Sequence, residues 1–85
     1  MKYSAGSFES SDCIITVEPH QERIINIESI VLEQFGDQIK DVISTTLDEQ
    51  NITGIKIECF DKGALDYTIK SRLLTALKRA GEINE

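Results

Sequence analysis

Two helix-spaced apolar stripes, three strand-like alternations and the polar turns between them predict an α+β fold. The expected architecture is a small, mostly antiparallel β-sheet with two α-helices packed on one face. The chain has 85 residues, a length expected to form one domain over residues 1–85. A chain of this size buries about 60–65% of its unfolded surface. That suffices for one sheet with helices on a face, but not for a deep, enclosed active site.

The first residues, Tyr3 to Glu9, read as a short strand that turns back at Ser10-Ser11. From Asp12 to Glu18, Cys13, Ile15 and Val17 alternate with Ile14 and Thr16, the period-two pattern of a strand. Pro19 lacks the amide that a sheet ladder needs and ends it. Arg23 to Glu28 forms the next strand, with Ile25 and Ile27 on one face and Ile24 on the other. The short Pro19–Glu22 link predicts that these two strands pair antiparallel.

Ser29 is placed to cap a helix, its hydroxyl facing the free amides of the first turn. Val31, Leu32, Phe35, Ile39, Val42, Ile43 and Leu47 then recur at spacings of three and four, one apolar stripe on a long helix. Gly36 in mid-helix costs about 1 kcal/mol relative to alanine, which points to a close neighbour or a bend. Asn51, able to turn left-handed, ends the helix.

Alternation returns from Gly54 to Phe60, with Ile55, Ile57 and Cys59 on one face. Asp61-Lys62-Gly63 is a turn with Gly63 at positive φ. The second helix runs from about Leu65 to Ala80, its stripe made by Leu65, Ile69, Leu73, Ala76, Leu77 and Ala80. Gly81 stops it, and Lys78 and Arg79 suit the negative end of its dipole.

Fifteen acidic against nine basic residues leave a net charge of −6, spread along the chain. Nucleic acid and anionic membrane surfaces are thereby disfavoured as partners. No stretch is apolar and long enough to span a bilayer and no leader pattern is visible, so a cytoplasmic location is expected. Cys13 and Cys59 fall on apolar strand faces, as buried free thiols do. His20 is the sole histidine, too little for a metal site, and nothing in the sequence brings it near a serine. Asp61 and Asp66 are a conceivable acid–base pair, yet both sit where carboxylates cap turns and helices. Intrinsic catalysis is not expected.

What remains is the turn Glu9-Ser10-Ser11-Asp12, preceded by Ala5-Gly6-Ser7-Phe8. Its two hydroxyls have nothing to bury and must project into solvent, accessible to a modifying enzyme. The same residues would also suit an ordinary turn.

Three segments taken together, Ala5–Asp12, Glu33-Gln34-Phe35-Gly36-Asp37 and Asp61-Lys62-Gly63-Ala64-Leu65-Asp66, resemble the acyl carrier protein (gamma chain) family of citrate lyase. The resemblance covers nearly the whole chain. It implies a single acyl-carrier domain, itself non-catalytic, in a hetero-oligomeric lyase that cleaves citrate to oxaloacetate and acetate. It implies that Ser10 carries a covalent 2'-(5''-phosphoribosyl)-3'-dephospho-CoA group through a phosphodiester, with Ser11 the alternative. The implied partners are the lyase alpha and beta subunits and the maturation enzymes that attach and acetylate the arm. Two positions depart from the family pattern: Ser7 stands where threonine is usual and Phe8 where leucine is common. Position 11 is one where the family often has glycine or serine. The modified serine of helical-bundle acyl carriers follows an aspartate at a helix start, whereas Ser10 here precedes Asp12 and leads into a strand. The competing reading is a small α+β protein-interaction or regulatory module with no covalent group, which explains the acidity but not the three segments.

Overall fold

The computed structural model describes residues 1–84. Its elements run β1 (Tyr3–Gly6), β2 (Cys13–Glu18), β3 (Arg23–Ser29), α1 (Leu32–Glu49), β4 (Ile55–Asp61) and α2 (Asp66–Arg79). The predicted α+β class holds. The four strands form one sheet in the order β1-β2-β4-β3. β1 with β2 and β2 with β4 are antiparallel, while β3 with β4 is parallel.

The expected β2–β3 pairing does not form. β4 lies between the two strands, with Val17 and Ile25 both opposite Ile57. Four residues, 19–22, are long enough to step over one strand, since each spans about 3.3 Å when extended. β4 enters beneath that link: the Ile55 amide donates to the Glu22 carbonyl at 3.1 Å. Gly54 makes the approach possible, because a Cβ there would lie 2.6 Å from the carbonyl oxygens of both His20 and Gln21.

Alternation sets which face is covered. Cys13, Ile15, Val17, Ile55, Ile57 and Cys59 are buried beneath Ile39, Ile43 and Leu47 of α1 and Ile69, Leu73, Ala76 and Leu77 of α2. α1 packs on β3, α2 on β1 and β2, and the helices touch each other. The opposite face carries polar neighbours such as Ser4 and Thr16, whose hydroxyls lie 2.9 Å apart.

Both helices end in the same way. The amides of Asn51 and Ile52 donate to the carbonyls of Asp48 and Leu47, and those of Gly81 and Glu82 to Lys78 and Leu77. With Asn51 and Gly81 at positive φ, these are two Schellman motifs, as the sequence predicted for the stop residues. The starts differ from expectation. Ser29 ends β3 and Val31 occupies the N-cap of α1 without a side-chain cap. α2 begins at Asp66, leaving Leu65 outside it and exposed. The N-terminal part of the α1 stripe is also uncovered, since Leu32 and Phe35 are exposed. A Cβ on Gly36 would meet only the Leu32 side chain, so no neighbouring element presses on it.

Candidate functional site

The β1–β2 connection folds back tightly because Gly6 permits it. Gly6 has φ +114°, and a Cβ there would overlap the Cys13 carbonyl oxygen. Beyond it the Ser7 amide donates to that carbonyl at 3.1 Å, and the Asp12 amide to the Glu9 carbonyl at 3.2 Å. Ser10 and Ser11 are thus the two central residues of a four-residue turn. Ser10 is exposed, and its hydroxyl makes no hydrogen bond to the described residues. Ser11, also exposed, has φ +63°, a conformation that favours glycine or asparagine at this turn position.

Asp12 anchors the turn. Its carboxylate accepts from Ser7 Oγ at 2.6 Å and from its neighbour's amide, Cys13 N, at 2.7 Å. Arg72 of α2 adds a two-pronged pair, Nε to Oδ1 at 3.0 Å and Nη2 to Oδ2 at 2.8 Å. The Arg72 guanidinium, followed by the Ser7 hydroxyl and the Cys13 amide, holds the Asp12 carboxyl well below the ordinary carboxylate range. Charge-assisted forks of this kind fix geometry as well as charge.

A second anchor comes from the β4–α2 loop. The Ser11 amide donates to the Lys62 carbonyl at 2.7 Å, and the Lys62 amide to the Asp12 carbonyl at 2.9 Å. Asp61 then ties that loop to the β3–α1 loop. Its buried carboxylate accepts from Ser29 Oγ at 2.7 Å, Gly63 N at 3.1 Å and Ala64 N at 2.9 Å. Gly63 has the positive φ expected of it, +86°. Ser29, placed in sequence as a helix cap, serves Asp61 and accepts from the Val31 amide at 3.0 Å.

The three segments that carry the family resemblance therefore meet at one pole of the molecule. That pole also gathers exposed apolar side chains: Phe8, Ile30, Leu32, Phe35, Phe60, Leu65 and Tyr67. Open grooves cross it, two of them reaching the β4–α2 loop. The larger, about 510 Å³, lies between the start of α1 and the β4–α2 loop, with Phe35, Ile39, Leu65 and Tyr67 among its walls. The smaller, about 250 Å³, includes Phe8 and Lys62 and is the one that borders the Ser10 turn.

Other candidates fall elsewhere. His20 sits past the far end of β2, its Nδ1 engaged with the Glu22 backbone. Asp61 and Asp66 both line the larger groove, but Asp61 is saturated by its loop and Asp66 accepts from Gln38 Nε2 at 3.0 and 3.1 Å. Cys13 and Cys59 are free and buried. The hydrogen bond with Cys13, together with burial, pushes the Cys59 thiol far up. Arg72 escaped sequence reading, since nothing local links it to a residue sixty positions away.

This small α+β scaffold with a serine-tipped hairpin belongs with acyl carriers: the family model described as ACP, malonate decarboxylase delta subunit (MdcD), matches residues 1–80. A citrate lyase acyl carrier protein of Streptococcus pyogenes serotype M5 is 47% identical over 83 residues, 95% of this chain and 81% of the relative. One of Halothermothrix orenii is 46% identical over 80 residues, 93% of this chain and 85% of the relative. The chain belongs to the citrate lyase acyl carrier protein family. The fold recurs in a chain of a Pseudomonas malonate decarboxylase hetero-tetramer solved with malonate, with TM-score 0.77 and 20% identity over 92% of this chain and 81% of that one.

Proposed function

We propose that this chain is the cytoplasmic acyl carrier subunit of citrate lyase. In this reading residues 1–85 form one carrier domain, and Ser10 Oγ bears the phosphoribosyl-dephospho-coenzyme A group through a phosphodiester. The observation that carries it is the uncommitted Ser10 hydroxyl, held at the tip of a turn that is anchored on both sides. A rigid display with an open approach is what a transferase needs to place a large group on one oxygen.

The residues present suit that group. Ser10 is uncovered, and Lys62, whose backbone braces the turn, is exposed and makes no ion pair among the described residues. When bound, the group supplies a terminal thiol whose thioester activates the acyl unit. The protein's part is presentation: tethering keeps that unit at an effective concentration on the order of millimolar. The maturation enzymes meet the hydroxyl first, and the alpha and beta subunits of the lyase meet the loaded carrier. Ser11 is the weaker candidate for attachment. Its left-handed backbone is one that glycine adopts without strain, which fits a position whose hydroxyl is dispensable.

Intact mass of the protein made in a host with the maturation enzymes tests the assignment. Wild type and Ser11→Gly should carry a phosphorus-rich adduct, and Ser10→Ala should have the bare chain mass. Ser10→Ala should keep its stability within about 0.5 kcal/mol, as exposed substitutions usually do, while citrate cleavage by the reconstituted complex is lost. An adduct on Ser10→Ala that is missing from Ser11→Gly would move the site by one residue. A bare wild-type chain under the same conditions would favour the interaction module.

A further inference from the structure

The chain has three phenylalanines, and two of them meet beside the Ser10 turn without being buried. Phe8 is 62% exposed and Phe60 42%. Their rings stand edge to face at 6.3 Å and 69°. Together with Lys62, Glu28 and Ile30 they line the cleft of about 250 Å³, smaller than the roughly 300–1,000 Å³ of sites that enclose a whole drug-sized ligand. The cleft suits one planar ring system rather than an entire coenzyme.

We propose that this cleft is the seat of the purine nucleotide portion of the group attached at Ser10, with the base on the Phe8 and Phe60 rings and Lys62 facing its phosphates. The inference rests on the carrier reading above. Position favours it: Phe8 lies two residues before Ser10, and the Lys62 carbonyl accepts the Ser11 amide at 2.7 Å. In a phosphoribosyl-dephospho-coenzyme A the phosphodiester and one ribose join the serine to the adenosine, so the nucleoside lies one sugar from the attachment point and the thiol arm lies beyond it. Chemistry favours it as well. Base–aromatic stacking draws on any base's π-face, Lys62 is a cation beside the attachment point, and the Glu28 carboxylate offers an acceptor to an exocyclic amine. Asp61 lines both grooves, but the larger adds Asp66 and has no lysine or arginine on its walls, a poorer setting for phosphate than the cleft that holds Lys62. Seating the nucleotide would fix the root of the arm and leave its thiol end free to move between subunits.

The test uses the intact holo-carrier, with attachment first verified by mass. The adenine H2 and H8 resonances should lie upfield of those of free dephospho-coenzyme A and show contacts to the Phe8 and Phe60 rings in isotope-filtered spectra. Phe8→Leu keeps the apolar contact and removes the ring. It should lower the ratio of seated to free base by about five- to 150-fold, the range expected for one stacked base, and return the resonances toward free values. Phe35→Leu, in the other groove, should leave them unchanged. Adenine resonances at free values in a wild-type protein of full holo mass would overturn the nucleotide seat and leave the carrier reading standing. Contacts to Leu65 and Tyr67 instead would overturn it equally. A bare chain mass would remove both.

Discussion

Asp12 gathers four hydrogen bonds within its own turn and from α2, and the consequence is directional in pH. Its folded carboxyl titrates below the unfolded one, so the stability it contributes is complete above an unfolded value of about 4. That contribution is lost as pH falls through the depressed folded value. Arg72→Gln removes the main cause of the depression. The Asp12 carboxyl should then titrate higher, closer to the ordinary carboxylate range, as followed by its side-chain carbon resonance, and acid unfolding should begin at a higher pH than in wild type. An unchanged Asp12 titration would show that Ser7 and the Cys13 amide suffice. Half of this anchor is visible in sequence: an aspartate closing a serine turn. The other half lies sixty residues on, on a helix face that reads only as solvated.

The strands and helices are legible because burial imposes a period, and the period survives in Cys13-Ile15-Val17, Ile55-Ile57-Cys59 and Ile69-Leu73-Leu77. Neighbours are another matter. Alternation marks which face of a strand is covered and is silent about which strand lies alongside, so the insertion of β4 between β2 and β3 could not be read from it. The trace it leaves is Gly54, whose absent side chain makes room for the 20–21 backbone. Gly54→Ala should cost about 1–3 kcal/mol, the usual penalty of overpacking, because both obstructing atoms are backbone. Gly36→Ala should act oppositely, since its added methyl meets only the tip of the exposed Leu32 side chain. There the gain in helix propensity, up to about 1 kcal/mol, should dominate. Leu73→Ala, at the centre of the packed face, should cost about 2–5 kcal/mol. Urea unfolding of the three variants checks all three signs. A Leu73→Ala loss below about 0.5 kcal/mol would mean that α2 does not pack on the sheet as described.

Charge across the whole molecule is sorted rather than mixed. α1 carries Glu33, Asp37, Asp41, Asp48 and Glu49 against Lys40 alone, and its last two acids are paired, Asp48 with Arg23 and Glu49 with Lys70. The cations of α2 are turned to internal use: Arg72 binds Asp12, and Arg79 reaches the Ser4 carbonyl at 2.6 Å. Glu33, Asp37 and Asp41 are left without an ion pair among the described residues. Glu33 and Asp37 lie on the half of α1 that starts at the Ser10 pole, next to its exposed apolar side chains, and Asp41 follows one turn further along. A partner that reads this pole must be apolar at the centre and basic at the rim. On the carrier function proposed above, association with the large lyase subunits should therefore slow as salt shortens the screening length from about 10 Å at 0.1 M toward 3 Å at 1 M. Replacing Glu33, Asp37 and Asp41 together by glutamine and asparagine should flatten that salt dependence, because rim charges govern encounter rate more than residence time. Each exposed change should alter folding stability by no more than about 0.5 kcal/mol, so a loss of association would not trace to unfolding. Stopped-flow association rates at several salt concentrations decide the matter. A rate indifferent to ionic strength in both proteins would assign the acidity of α1 to solubility and leave the apolar pole to select the partner unaided.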